Sequence, residues 1–577
     1  PATTVRPAGG PTGADLFGSL GGLHAGSDQS GHGSKGVQVI VAIEAIATFG
    51  AVGVDDAVTL LPGTECSGRQ PELLRDPTHG VHSTPSAGET IQTFRTPCPR
   101  ETPDLHILCA ALCLPPRAGP RIGPAAAYHD CVRIVRWLSH PIRVVPSVYL
   151  VAIAVGTALL MLPASTSTRR SPELIDAAFT SVSAICITGL VTVDTATFWS
   201  PFGQVVIMLL IQVGGFGIVT LGTLLALLAT GRISLQGSLM ASRELHQRSL
   251  ADALRLPGRI AALMLIAEAL IAALLTFAFR PHTENWGEAA WYGLFHSVSA
   301  FNNAGFALYS DNLIGFVGDP AIILPICVAI VFRGIGFPVL FEIGRRWRRS
   351  GRAYWSAHTR LTVYWTAALL VAGTLIFAVA EWNNPQTLGP LSMGEKVLAA
   401  VAGGVFPRTA GFNSIDYGVA SESTIGLQYL LMFIGGGSAG TAGGIKVGTI
   451  GIIVAIVAAE LRGEPQVIVA HRAIPVTIQR SALAVVMLGL TTVGLATAFI
   501  VGTERFALQH VLFETISAFG TVGLSTGITP HLKSESLVAL MVLMYLGRVG
   551  TVSVAAALAV RSRHRHYRLP EEQPIVG

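Results

Sequence analysis

Charge is scarce in this sequence. Only 13% of its 577 residues are Asp, Glu, Lys or Arg, 51% are hydrophobic, and the mean hydropathy is +0.56. A soluble domain carries about 25% charged residues, so the shortage excludes a soluble globular chain and indicates a polytopic membrane protein. Metal-ligand clusters are lacking too. Cys186 and Cys327 lie in apolar segments, and Cys66, Cys98, Cys109, Cys113 and Cys131 lie near the N-terminus. Cys109 and Cys113 are spaced C-x3-C with no second pair and no His cluster nearby, so a zinc site is not expected. Residues 1–135 show no His, Asp, Glu or Cys at catalytic spacing. That counts against the rival reading of a membrane enzyme with a catalytic N-terminal region. There is no charged n-region followed by an apolar h-region and a small-residue cleavage site. The net charge of +5 sits as arginine clusters between apolar runs, which is a topology signal and implies no nucleic-acid partner.

Residues 1–136 are rich in Gly, Pro, Ser, Thr and His and show no sustained periodicity. The run Val37 to Val54 holds Glu44 and ends at Asp55-Asp56, too short and too charged for a span. This stretch reads as a disordered or non-native extension, with a small accessory domain as the alternative; the first residue is not Met, so the start is read as a fragment or a mis-assigned start site. From Val144 onward, apolar runs long enough to cross a bilayer, about 20 residues each, recur near 144–163, 202–230, 257–279, 319–343, 359–381, 426–459, 479–502 and 536–560. Eight full spans are therefore expected.

Alternate connections are basic. Arg133, Arg136 and Arg143 precede the first span; Arg232, Arg243, Arg248 and Arg255 follow the second; Arg345, Arg346, Arg348, Arg349 and Arg352 follow the fourth. Arg462 and Arg472 follow the sixth, and Arg561, Arg563, Arg565 and Arg568 lie in the tail. The positive-inside rule places both termini in the cytoplasm of a multi-pass cell-membrane protein. The 345–352 cluster either docks a regulator or anionic lipid headgroups or is ordinary topology charge.

The opposite connections are too apolar to be simple loops. Residues 178–190, 294–306 and 512–524 align without gaps, sharing F-x-[ST]-[VI]-S-A and, four residues on, G-[LF]. A diverged fourth copy, Gly404 to Asn413, ends in the same Gly-aromatic pair, and the marker glycines Gly189, Gly305, Gly411 and Gly523 recur at near-constant spacing. The expected fold is all-α and transmembrane, with four membrane helix–pore loop–membrane helix repeats around a pseudo-fourfold central pore. The repeats are bounded at 137–232, 233–346, 347–462 and 463–561, with a cytoplasmic tail at 562–577. A short apolar helix followed by irregular backbone survives at membrane depth only if it is buried or lines a water-filled path. Four such loops would present a ring of carbonyls able to replace the hydration shell of a monovalent cation. Glycine permits the positive φ this requires, and the pore-helix C-termini add partial negative charge. No covalent cofactor is called for.

The repeat plan, with Arg408-Thr409-Ala410-Gly411-Phe412-Asn413 and Ser517-Ala518-Phe519-Gly520-Thr521-Val522-Gly523-Leu524-Ser525 as its most diagnostic segments, resembles the Trk/Ktr/HKT superfamily of potassium transporters over about 137–561. Eight spans resemble the membrane subunit of the Ktr branch. The resemblance implies a selectivity filter at Ile187, Thr188 and Gly189; Asn303, Ala304 and Gly305; Thr409, Ala410 and Gly411; and Thr521, Val522 and Gly523, binding K+ through backbone carbonyls. Gly189 resembles the potassium-selective type. The resemblance also implies K+ as substrate with Na+ as a possible coupling ion, a homodimer, and cytosolic nucleotide-binding (RCK-type) regulatory subunits.

The sixth span is interrupted by Gly435, Gly436, Gly437, Ser438, Ala439, Gly440, Thr441, Ala442, Gly443 and Gly444, followed by Ile445 and Lys446. Each mid-helix glycine costs about 0.5–1 kcal/mol relative to alanine, so a break is expected. It resembles the family's intramembrane gate; a seam of small residues for helix packing is the alternative. A phosphate-binding loop needs Gly directly before Lys, and Ile445 intervenes. Arg548 in the last span costs about 2.5–3.5 kcal/mol to insert; it resembles the family's pore-facing arginine, which pairs with the gate and opposes cation passage, with snorkelling or packing as the alternative. Arg333 stands where the family generally has glycine and is read as a second gate charge or as the partner of a nearby acid. Glu514 is either a local charge balance or a satisfied structural carboxylate, and His296 is expected to be structural. Potassium uptake is the expected function, with or without sodium coupling; a sodium or weakly selective cation pathway is the rival.

Overall fold

The computed structural model describes residues 141–216, 250–348, 355–438, 440 and 442–550. The expected extension 1–136, the tail 562–577, most of the basic loops, and gate residues Ala439 and Thr441 lie outside the described residues.

The first repeat comprises α1 (Pro141–Leu160), α2 (Leu174–Cys186) and α3 (Pro201–Gly215). The second comprises α4 (Leu250–Phe279), α5 (Trp286–Asn302), α6 (Pro320–Ile335) and α7 (Phe337–Arg348). The third comprises α8 (Ala357–Glu381), α9 (Met393–Val405), α10 (Glu422–Phe433) and α11 (Val447–Leu461). The fourth comprises α12 (Val476–Thr503), α13 (Leu508–Gly520), α14 (Ser534–Tyr545) and a π-helical turn, Leu546–Gly550. Local chemistry sets the starts. Ser200, Asn285, Asp319, Ser356 and Ser421 each accept a backbone N–H as N-caps, and Ser392 with Glu395 forms a capping box.

Among the described residues, three helices are long and apolar enough to cross a membrane: Gly258–His282, Ala357–Glu381 and Val476–Thr503. These are the outer helices of repeats two to four, and they expose Leu270, Val379 and Leu495, as lipid-facing helices must. Two expected full spans depart from continuity. The fourth, 319–343, is the pair Pro320–Ile335 and Phe337–Trp347, bent by 95°. Gly336 at φ 94, followed by Pro338, makes that corner. The sixth is broken between Phe433 and Val447. The second and eighth expected spans are described only to residues 216 and 550. Among the described residues the regular structure is helical apart from a two-stranded antiparallel ribbon, β1 (Ile468–Val469) and β2 (Arg472–Ala473), turned through Ala470 and His471 at φ 50 and 62.

The short helices α2, α5, α9 and α13 carry the core. Phe179, Phe295 and Phe513, the aromatic of each aligned motif, are at most 1% exposed. In repeats one, two and four the short helix packs between the two helices that flank it, whereas α9 packs on α8 of its own repeat and on α6 of the second.

Candidate ion pathway

Three of the four short helices end identically. After α2, α5 and α13 the chain enters the left-handed region at Ile187, Asn303 and Thr521, with φ 57, 61 and 48. The N–H of each bonds a carbonyl three residues back, at 3.2, 3.0 and 3.1 Å, and the next N–H reaches five back, at 2.8, 2.7 and 2.8 Å. This paired cap satisfies the last helical carbonyls and turns the chain off the helix axis. The third loop arrives differently. Past Val405, Arg408 N–H bonds Val405 O and Ala410 N–H bonds Phe406 O, both at 3.1 Å, and Thr409 then takes φ 65.

All four loops therefore place a non-glycine residue at positive φ two positions before a glycine that is also positive: Gly189 at 96, Gly305 at 73, Gly411 at 71 and Gly523 at 96. Thr188, Ala304, Ala410 and Val522 between them stay outside that region. This alternation turns successive carbonyls to one side, which is what a carbonyl-lined cation site needs.

The four glycines converge. A Cβ on Gly189 would collide with the Ala304 carbonyl, and one on Gly305 would lie 2.5 Å from Gly411 Cα. One on Gly411 would lie 2.7 Å from Val522 O, and one on Gly523 would lie 3.0 Å from Gly189 Cα and strike the Thr188 carbonyl. The contacts run around the set in chain order and back to the first. All twelve filter candidates are buried.

Side chains pin the loops. The Ser183 hydroxyl accepts Gly189 N–H at 3.0 Å, Ser517 accepts Gly523 N–H at 3.1 Å, and Ser299 donates to Phe306 O at 2.7 Å. These are the serines of the repeated S-A motif, and the signal for them lay in the repeat itself. The second and third loops are stitched by Asn303 Nδ2 donating to Thr409 Oγ1 at 3.4 Å and by Asn413 N–H donating to Asn312 Oδ1 at 3.3 Å, while Asn312 Nδ2 donates to Gly305 O within its own loop at 3.4 Å. On the outer side Asp194 accepts Ser310 Oγ at 2.6 Å, joining repeats one and two. Burial raises the Asp194 carboxyl, but bonds from Ser310, Thr197 and Ala196 hold it below the usual range. Glu514 is a satisfied structural carboxylate, accepting Ser525 Oγ, Thr526 N–H and Thr529 Oγ1 at 2.5, 3.1 and 2.8 Å. His296 is likewise structural, with Nδ1 2.8 Å from Tyr292 O and Nε2 3.3 Å from Leu308 N.

The glycine-rich segment breaks the sixth span, with Ile434 and Ile445 forming a parallel bridge at its ends. Gly435 N–H bonds Ile445 O at 2.9 Å and Val447 N–H bonds Gly436 O at 3.1 Å, closing its neck. One limb leans on α6, where Gly437 N–H bonds Gly334 O at 2.7 Å. The other leans on the fourth loop: a Cβ on Gly443 would collide with the Thr521 side chain. Glycine at 437 and 443 is what permits both close approaches. Lys446 Nζ reaches back to the Ala442 carbonyl.

Three arginines are buried in this part of the fold, Arg333 at 1%, Arg548 at 5% and Arg408 at 6% exposure. Arg408 donates to Thr366 O at 3.1 Å and Gly435 O at 3.3 Å, tying the third loop to the neck of the glycine-rich break. Arg548 Nη2 donates to Gly214 O at 2.9 Å, so its carbonyl partner is the end of α3. Arg333 donates to the next carbonyl, Gly215. The acid near Arg333 is Glu268, 4% exposed on α4, which accepts Gln212 Nε2 and Asn302 Nδ2, each at 2.9 Å. Glu268, Gln212 and Asn302 escaped sequence reasoning, because they lie on three separate helices and belong to no repeated motif.

Residues 138–565 match the model of the TrkH family, described as cation transport protein. The chain belongs to this family, as a Trk/Ktr-type membrane subunit. It is similar to Ktr system potassium uptake protein B of Bacillus subtilis (strain 168), 38% identical over 77% of this chain and 99% of that protein. The protein of the same description from Vibrio alginolyticus is 35% identical over 75% of this chain and 94% of its own length. The potassium/sodium uptake protein NtpJ of Enterococcus hirae is 32% identical over 77% and 98%. Among solved structures, the potassium transporter TrkH from Vibrio parahaemolyticus shares the fold, with a TM-score of 0.57 at 18% identity, covering 74% of this chain and 86% of that one. The relatives are transporters, so the enzyme reading is set aside.

Proposed function

We propose that this chain takes up potassium across the cell membrane through a filter of four loops, gated by the Gly435–Gly444 break with Arg548. The observation that carries the reading is the convergence of Gly189, Gly305, Gly411 and Gly523, each two residues after a left-handed residue. Backbone carbonyls turned inward from four loops suit a dehydrated monovalent cation. The glycine break spans from the end of α6 to the fourth filter loop, where a small mobile segment can close a path. Arg548 adds positive charge on that inner side, which opposes cation passage while the gate is closed. In this reading the chain has eight spans in four pseudo-fourfold repeats, with both termini cytoplasmic. It works as a homodimer with cytosolic nucleotide-binding (RCK-type) subunits, and sodium is the coupling ion where there is one.

Uptake by cells lacking their own potassium systems tests this. Potassium-dependent growth rescue is the expected result, and Arg548→Ala at equal membrane abundance should raise flux. Flux that does not distinguish potassium from sodium would favour the second reading, a weakly selective pathway, for which the similarity to a potassium/sodium uptake protein speaks.

A further inference from the structure

Arg333, Glu268, Gln212 and Asn302 are left over once filter and gate are assigned: the last three form one buried hydrogen-bonded cluster, and Arg333 stands beside it at the end of α3. Glu268 is held by the amides of Gln212 on α3 and Asn302 on α5, each at 2.9 Å. Asn302 directly precedes the filter residue Asn303. Arg333, 1% exposed, lies within the electrostatic field of Glu268, donates to the Gly215 carbonyl, and stacks its guanidinium carbon 4.0 Å from the Phe337 ring centroid. Its Nε and Nη1 find no partner among the described residues. The backbone beside Arg333 carries the gate: Gly334 O accepts Gly437 N–H at 2.7 Å, and a Cβ on Gly440 would sit 3.2 Å from Arg333 O. The cluster adjoins the second filter loop through Asn302, and Arg333 adjoins the glycine break through its own backbone.

A guanidinium this deep is costly unless something fixes it and compensates its charge. Here a helix C-terminus, an aromatic face and a nearby carboxylate do so. We propose that Arg333 is a positioning residue that latches the glycine break in its closed state, with Glu268 as the counter-charge that ties the latch to the second filter loop. This rests on the reading of 435–444 as the gate. To open, Gly437 must leave Gly334 O or the corner of α6 must move with it. Arg333, clamped between Gly215 and Phe337, holds that corner still. It also adds a second positive charge beside Arg548 at the end of α3, since the two arginines bond consecutive carbonyls.

The test uses the full chain in cells lacking their own potassium uptake, with membrane abundance quantified and rubidium and sodium influx measured. R333G should raise resting influx about tenfold, the order expected when one charged hydrogen bond leaves a two-state equilibrium. Sodium should rise more than rubidium, because the cluster beside the second filter loop is loosened as well. R333K, which keeps the charge but loses the planar stacking on Phe337, should raise influx less than R333G does. A merely structural arginine would lower influx of both ions together. R333G present at parental level with unchanged or reduced influx overturns the latch. If R333G does not accumulate, R333G/E268Q decides, since it removes the carboxylate left without its counter-charge. High sodium-permissive influx in the double variant supports the latch; parental influx, or its absence from the membrane, overturns it. A parent chain that moves neither ion sinks the transport reading and the latch with it, whereas an active parent with an unresponsive R333G sinks only the latch.

Discussion

The third pore loop and its three counterparts reach the same backbone shape by different means. Loops one, two and four follow a paired helix cap, and a serine of their own pore helix pins them: Ser183 and Ser517 hold the glycine N–H, and Ser299 holds Phe306 O. In the third repeat Val405 stands six residues before its glycine, where those loops have serine, and Arg408 bonds outward to Thr366 and Gly435 instead. The difference separates two duties. Three loops are anchored to themselves, and the third is anchored to the break in the sixth span; under the proposed function it is the loop that would couple gate to filter.

The largest effect expected is at the shared feature. Gly523→Ala puts a side chain at φ 96 against the Thr188 carbonyl. Strain of about 1–3 kcal/mol should cut potassium uptake about tenfold or more in protein that still reaches the membrane; near-normal uptake would break the idea that the four loops are equivalent at their glycines. Next comes Arg408→Gln. It strands two buried carbonyls, at a cost of about 2–4 kcal/mol for the pair, and should lower the thermal midpoint of purified protein while raising resting flux. A fall in stability with no change in resting flux would make Arg408 a packing residue and erase the contrast between loops. Ser517→Ala removes one neutral hydrogen bond, worth about 0.5–1.5 kcal/mol. It should weaken potassium-over-sodium discrimination in influx assays without altering resting flux.

The smallest effect concerns the outer rim. Asp194 is held below the usual carboxylate range, so its bonds to Ser310 and Thr197 are intact above the unfolded carboxylate value and lost only as pH falls through the lower folded one. Thermal stability should therefore be flat between about pH 5 and 8 as far as this group is concerned. Asp194→Asn should cost less than about 1 kcal/mol at neutral pH, because the group is largely solvated.

Repetition decided what could be read in the sequence. The filter loops were legible because F-x-[ST]-[VI]-S-A and its glycine recur, and the interruption of the sixth span because six glycines cannot hold a helix there. The bend at Gly336 was missed: an apolar run reads as one span by length, although Gly-Phe-Pro at 336–338 carried the signal for a corner. The β1–β2 ribbon is two residues a side, below any periodicity that a pattern can reveal. Glu268 was missed because its partners, Gln212, Asn302 and Arg333, come from three separate helices. Such a cluster exists only once the helices pack.

Rubidium-soaked crystals of the full chain, examined by anomalous diffraction, test the central claim most directly. The account predicts a peak enclosed by Gly189, Gly305, Gly411 and Gly523 and by the carbonyls that precede them, with no comparable peak beside Arg548. Rubidium density elsewhere in the protein, with that centre empty, would contradict it.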